Sequence, residues 1–557
     1  MTQNDEAMRT ALPPYSGKQE MGEIPYWHLL LNQAVLPRSV LDHKYRGGGT
    51  EESPYVVEWL PADPRNPFGF SMARKVFITL VVALASLSVS FSSSAYLTPA
   101  ALIAKEFDTT TEVVTLGIFT FNLGQALGPF LWGPLSELYG RQVVFVSSFA
   151  GVTAFNGGCW ASQNIASLVV LRFFTGLCAS SPLTNAGGII ADMFPPAQRG
   201  LAMSAFVVSP YLGPAIGPIV SGFVAEAGGW RWVEGVMTIF TGSMLLLGSI
   251  SIPETYAPVL LRRRATRMTK VTGKIYQDVV QRDKGLISAK RLYANVLVRP
   301  WKLLFGEPIV FILSVYMAII YGTLYSFFGA FPIVYEEVRG WSLGIGGLAF
   351  TGVAIGMIVG VMCAIWVNVQ YRKTAAAGKA TPETRMKAAM IGSILVPVSL
   401  FWFAWTNFPS ISAIASIAAG VPFGTGMVLV YLAVTNYVVD SYTIYASSAL
   451  AANAALRCIF GAVFPLFTPA QYHNLGIHWA ATIPAFLALA CVPFPWLFFQ
   501  YGKAIRLKCK YSAEAERVRQ LVAGKAALPS TSEKPNTEEE SAVVSGLGTE
   551  KNTVSEG

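Results

Sequence analysis

Two arginines, Arg172 and Arg457, stand inside long apolar runs. A charge at the centre of a bilayer costs about 2.5–3.5 kcal/mol on insertion scales, so such a residue normally faces a cavity, a partner or a ligand. Arg172 could tune proton exchange with a nearby acid or water, or bond backbone carbonyls for packing alone. Arg457 could contact an anionic substrate or answer a backbone carbonyl. The residues that usually carry covalent or metal chemistry form no pattern. The four histidines make no HExxH motif. The six cysteines (Cys159, Cys178, Cys363, Cys458, Cys491, Cys509) show no CxxC or Cys/His ligand spacing. Five of them lie in apolar runs and read as small buried hydrophobes, not as a disulfide framework. No GxxxxGK[ST] loop occurs. No His, Cys or Ser grouping amounts to a catalytic constellation, so no enzyme, metal site or cofactor is expected. Uphill movement would have to draw on an ion gradient.

The elements that must hold these residues follow from composition. Of 557 residues, 53% are apolar and only 13% charged, with a mean hydropathy of +0.47. Soluble domains carry about 25% charged residues, so a chain this apolar belongs in a bilayer. Apolar stretches of about 20 residues predict spans at 76–98, 113–135, 142–162, 166–192, 200–225 and 230–252. A second set falls at 307–335, 342–368, 386–406, 410–438, 445–468 and 478–501. The division near Phe408 is the least distinct. The expected domains are a polar amino-terminal tail (1–74), a six-helix bundle (75–252), a basic central loop (253–306), a second six-helix bundle (307–502) and a tail (503–557). The last thirty residues have a disordered composition. The net charge of +9 is read as a one-sided membrane bias and not as nucleic-acid binding. With the amino terminus cytosolic, the inside loops hold nineteen Lys/Arg and the outside loops only Lys105, Arg231 and Arg339. The positive-inside rule therefore places both termini in the cytosol.

Substrate contacts are sought among aromatic faces with a few adaptable polar groups. Tyr321, Tyr325 and Phe328 in span 7 fall at i, i+4 and i+7, one helical stripe beside Gly322 and Gly329. Tyr431 and Asn436 in span 10, Asn185 in span 4, and Asn122 and Gln125 in span 2 add polar groups, with Tyr325 and Asn436 the first choices. The same stripe would also suit a lipid-facing or packing surface. Spans 1 and 2 hold no central Asp or Glu, and Asp192, Glu226, Glu234, Glu336, Glu337 and Asp440 sit at or near span ends. A site poor in carboxylates disfavours polycations, leaving neutral or anionic organic molecules.

Four motifs sharpen this. After span 2 the chain reads Gly133-Pro-Leu-Ser-Glu137-Leu-Tyr-Gly140-Arg141, which resembles the loop signature of the major facilitator superfamily, with Glu137 for the usual Asp and with Leu138 and Gln142 for usual bases. A generic tight turn is the plain alternative. The resemblance implies that Glu137 faces the start of span 11 near Ser447, where free backbone N–H groups carry partial positive charge. It also implies that Arg141 pairs with Asp192, a cytosolic gate that breaks as the halves rock. Arg172 to Gly176 resembles the family's R-x-x-x-G pattern. In span 5, Gly213-Pro214, Gly217-Pro218 and Gly222 resemble the motif of drug:proton antiporters; glycines four apart permit close helix approach and prolines bend the span. Further segments, including Asn66-Pro67-Phe68, Pro253-Glu254-Thr255-Tyr256-Ala257-Pro258 and Tyr445 to Asn453, resemble the twelve-span fungal members over roughly 55–506.

The expected fold is therefore all-α and polytopic, twelve transmembrane helices in two six-helix halves; the resemblance implies that the halves rock about a site near the midplane lined by spans 1, 4, 7 and 10. It also implies a proton-coupled exporter of small amphipathic organic compounds, working as a monomer in the plasma membrane, with the vacuolar membrane as the alternative, and with substrate, protons and lipid as partners. A dedicated exporter of one endogenous metabolite or organic acid is the alternative. A non-transporting receptor or a polytopic enzyme is disfavoured.

Overall fold

Apolar length decides the architecture of the computed structural model, which describes residues 26–31, 36–61, 63–284, 289–377 and 381–517. Ten helical stretches are long and apolar enough to cross a membrane. In the first half these are α1 (Met72–Ser94), α2 (Thr111–Tyr139), α3 (Arg141–Trp160), α4 (Ile165–Met193) and α6 (Trp230–Ser251), with α5 (Pro196–Gly228) lying between the last two. In the second half they are α7 (Pro308–Phe331), α8 (Thr351–Ala376), α9 (Met386–Trp405), α10 (Gly420–Ser441) and a stretch from Ala446 to Lys508.

That last stretch is two passes. Gly476 takes φ 74°, ψ 159°, a backbone state open to glycine, and there the helix turns back on itself. Gln471 Nε2 donates to the Ala480 carbonyl across the turn at 2.7 Å. The Tyr445 hydroxyl, just before the first pass, meets Glu514 beyond the second at 3.0 Å. The passes are α11 (446–475) and α12 (477–491, continued by Pro493–Lys508). With α5, whose 33 residues pack against α1, the described residues hold twelve membrane-length passes. The division near Phe408 is real: α9 ends at Trp405, and a short helix, Ala413–Ala418, precedes α10.

The glycines of α5 set how closely the helices approach. A Cβ on Gly213 would lie 2.4 Å from Ser90 Cβ, and one on Gly217 would lie 1.9 Å from Ser94 Oγ, so α5 and α1 touch backbone to backbone. Gly222 instead faces the other half, 2.6 Å from the Leu343 carbonyl by the same measure. One turn on, Glu226 Oε2 accepts from the Gly344 N–H at 3.1 Å. The two halves are thus closed against each other at this end.

The opposite end carries the tails and the central segment, where a short strand pair adds to the all-α fold. Tyr55–Val57 (β1) pairs in parallel with Tyr276–Asp278 (β2), Tyr55 opposite Tyr276. Between them lies the helix Ala257–Thr272, which buries Val259, Leu260, Leu261, Ala265 and Met268. An Asp63–Arg264 ion pair at 2.5 Å, sealed from solvent on both sides, ties this helix to the amino-terminal tail. A parallel pair of strands needs its crossover supplied from far along the chain, which explains why tail composition alone gave no sign of it. The carboxy-terminal tail is helical through Lys508, and Tyr511 N–H donates to Glu307 at 2.9 Å. The disorder expected of the last thirty residues lies outside the described residues.

Candidate functional site

The stripe on α7 faces the interior and meets α5, α10 and α11 there. Arg457 of α11 sits between two rings, its guanidinium carbon 4.9 Å from the centroids of both Tyr321 and Tyr431. Tyr431 meets Tyr211 of α5 edge-on, centroids 4.8 Å apart, and the Tyr211 hydroxyl hydrogen-bonds Arg457. The Tyr321 hydroxyl donates to the Tyr325 hydroxyl at 3.1 Å. Tyr325 in turn shares a 2.5 Å hydrogen bond with Ser93 Oγ of α1. All four tyrosines are at most 8% exposed. Phe328 continues the stripe, 5.1 Å from the Tyr325 ring. A guanidinium over desolvated aromatic faces gains about 2 kcal/mol per ring, and the tyrosine hydroxyls satisfy one another. This cage takes one wall from the first half (Tyr211, Ser93) and the rest from the second, so any movement of the halves reshapes it. Beside it, Asn122 of α2 donates to the Gly461 carbonyl at 3.1 Å, and the Cys458 thiol lies 3.7 Å from Gln125 Oε1.

Tyr211 has no place among the candidates read from the sequence. It falls three residues after Val208 in an apolar helix, and nothing in a 3.6 period singles out its hydroxyl. Two other candidates are placed elsewhere. Asn185 donates to Ser181 Oγ one turn back on its own helix at 3.0 Å. Asn436 lines a separate cavity of about 140 Å³ between α8, α9 and α10, with Tyr371 and Arg385.

Arg172 is fully buried and bonded quite differently. Both Nη1 and Nη2 donate to the Ser92 carbonyl at 3.1 Å, and the guanidinium lies 4.4 Å from the Tyr96 ring and 4.6 Å from that of Phe121. The carbonyls at the end of α1 lack helical partners, which makes them good acceptors. Arg172 also acts on Glu234 of α6. Glu234 stands only four residues inside α6, so its span position reads as a rim acid; yet it is 1% exposed, and its Oε2 has no hydrogen-bond partner. Its direction into the bundle, toward Arg172, Tyr96 and Cys159, is set by packing and not by sequence spacing.

At the tail end, Arg141 Nε is 3.3 Å from Asp192 Oδ2, and Arg141 Nη1 donates to Ser136 Oγ at 2.6 Å. The turn works because Glu254 supplies the cap: its carboxylate accepts from the N–H groups of Arg141 (2.9 Å), Gln142, Thr255 and Tyr256 (2.9 Å). Gly140 has φ 103°, and a Cβ there would lie 2.0 Å from Glu254 Oε2, so both the backbone and the space demand glycine. Gly133 has open space around it. Glu137 is exposed, and no described hydrogen bond joins it to the start of α11. The second half repeats the pair: Arg385 opens α9 and lies 3.1 Å from Asp440 near the end of α10, as Arg141 opens α3 and meets Asp192 near the end of α4. The equal placement of the two pairs in their halves was the available signal for it.

A family model described as Major Facilitator Superfamily matches residues 80–465. The MFS-type efflux pump MFS2 of Trichophyton rubrum is 53% identical over 496 residues, covering 89% of this chain and 83% of that protein. The major facilitator superfamily multidrug transporter mdrA of Aspergillus fumigatus is 50% identical over 539 residues, covering 96% and 88%. Among solved structures, the xylose transporter XylE from E. coli in a partially occluded inward-open conformation superposes with a TM-score of 0.56 at 16% identity, over 76% of this chain and 97% of that one. The chain belongs to the major facilitator superfamily and is a multi-pass membrane protein.

Proposed function

We propose that this chain exports small amphipathic organic compounds, exchanging them for protons by alternating access around the tyrosine–arginine cage. The observation that carries the reading is the position of the cage: Tyr211 and Ser93 come from one half, while Tyr321, Tyr325, Tyr431 and Arg457 come from the other. A ligand held there contacts both halves and is released when they separate. The curated relatives, named as efflux and multidrug transporters, supply the direction. On this reading both termini are cytosolic, the membrane is the plasma membrane, and Arg141–Asp192 with Arg385–Asp440 hold the cytosolic ends of each half rigid. Gly133, Glu137 and Gly140 belong to that gate, and Gly213, Pro214, Gly217, Pro218 and Gly222 shape the moving seam.

The proton is carried by Glu234. A buried carboxylate with one unsatisfied oxygen is stable either protonated or facing a cation, and Arg172 is that cation. The test is efflux of a panel of fluorescent and antifungal compounds from yeast lacking its own pumps, with and without a protonophore. Protonophore-sensitive efflux is expected; surface expression without any efflux would overturn the reading.

A further inference from the structure

Within the proposed transport reading, on which this step rests, we infer that the cage is an anion site whose ligands are amphipathic organic carboxylates anchored on Arg457. A guanidinium deep in a membrane bundle requires a countercharge or a full set of acceptors. Arg457 has neither. The ionisable groups beside it are Tyr321, Cys458, Tyr211 and Tyr325, all neutral at physiological pH. No ion pair is made by Arg457 among the described residues, and no described hydrogen bond takes it to a backbone carbonyl. Its Nε is sealed from solvent and has no hydrogen-bond partner, while the residue as a whole keeps part of its surface accessible. Such a side chain borders an internal space with one edge unpaired. The Nε–Nη edge of a guanidinium is the one that accepts a carboxylate side-on through two parallel hydrogen bonds.

The walls define the rest of the ligand. Tyr321 and Tyr431 present ring faces, Phe328 extends the apolar stripe, and the Tyr211 and Tyr325 hydroxyls can each turn a proton toward a carboxylate oxygen. A flat apolar body with one carboxylate satisfies all of these groups. A cation would stand against Arg457 with no carboxylate to attract it, and a neutral amide would leave the arginine charge uncompensated. Arg172 serves as the internal contrast: it is likewise buried with an unpartnered Nε, but both its Nη groups are taken by the Ser92 carbonyl and Glu234 supplies a countercharge.

The test uses the purified full-length chain in nanodiscs and in proteoliposomes with an imposed pH gradient. The probes are benzoate, 4-butylbenzoate, phenylacetate and 1-naphthoate, each with its primary amide and primary amine. Calorimetric binding to the wild type should favour the acids over their amides by roughly 10- to 100-fold, the range of a hydrogen-bonded charge. Arg457→Gln should abolish that preference, and Arg457→Lys should keep part of it. Amide binding by Arg457→Gln serves as the check that the variant is folded and its cage intact. Equal binding of acids and amides, absence of acid binding, or an acid preference that survives Arg457→Gln would overturn the inference. Transport separates the two readings: if the amides or amines are exported and the acids are not, export stands and the anion site falls. If the acids bind and no probe is exported, the anion site stands and export falls; if no probe binds or moves, both fall.

Discussion

The two membrane-buried arginines teach different lessons about what a buried charge is for. Arg172 has both Nη groups on the Ser92 carbonyl, two aromatic faces and the nearby charge of Glu234, although its Nε, like that of Arg457, has no hydrogen-bond partner. Arg457 is surrounded but not answered, with tyrosine faces around it and an unpartnered Nε. The first arrangement gives the charge a carbonyl acceptor and a countercharge, and so stabilises the protein. The second leaves a charge waiting for a ligand, at some expense of stability. The same residue type is thus met by a backbone carbonyl and a nearby carboxylate in one half and by tyrosine rings and a hydroxyl in the other.

The sharpest way to break this comparison is to measure both arginines by stability. Arg172→Met leaves Glu234 and the Ser92 carbonyl buried without a partner, and should cost about 3–5 kcal/mol, read as a large drop in thermal unfolding temperature or in yield from the membrane. Next, Glu234→Gln removes the exchanged proton while keeping shape. Uphill, pH-driven efflux in proteoliposomes should be lost, while downhill exchange of the same compound continues; retained uphill transport would remove Glu234 from the coupling. Arg457→Met, by contrast, should cost less than Arg172→Met, because the ring attraction it loses is offset by relief of a buried charge without a countercharge and no unpaired carboxylate is left behind. A loss matching that of Arg172→Met would make the two arginines equivalent. The smallest effect belongs to Arg231, at the rim beside Glu106 (2.7 Å). Burial pushes the Glu106 carboxyl up, but the Trp230 indole and Arg231 outweigh it and hold the group below the ordinary carboxylate range. The contribution is therefore present above the unfolded-state value and lost as pH falls through the folded one. Both partners being largely exposed, screening limits it to under about 1 kcal/mol, so Arg231→Gln should unfold close to the wild type at pH 7 and converge with it in acid.

Much of the fold was legible because a bilayer imposes a length and a composition on every span, and twelve of them followed from apolar runs. The α2–α3 turn was legible for a similar reason: Gly140 and Arg141 are forced by a tight reversal. The partner that makes the turn work, Glu254, lies more than a hundred residues on, and its segment was visible only as a resemblance without a role. The cage was half legible. Spacing put Tyr321, Tyr325 and Phe328 on one face, and the apolar context marked Arg457. Tyr211 and Glu234 were not found, because which way a side chain points inside a wholly apolar helix depends on its neighbours and not on a period. Asn436 stands apart from the cage for the same reason: a polar residue in span 10 has several inward directions, and this one leads to the cavity beside Arg385.

The parallel pairing of Tyr55–Val57 with Tyr276–Asp278, locked by Asp63–Arg264, has a consequence for dissecting the protein into co-expressed pieces. The central segment is not a free tether between equal halves, because its first thirty residues are stitched to the amino-terminal tail. A cut after residue 252 would strand β2 on the wrong fragment and leave Asp63 without its arginine. A cut between 285 and 288 keeps the stitched unit whole, and fragments divided there should reassemble where fragments divided earlier do not.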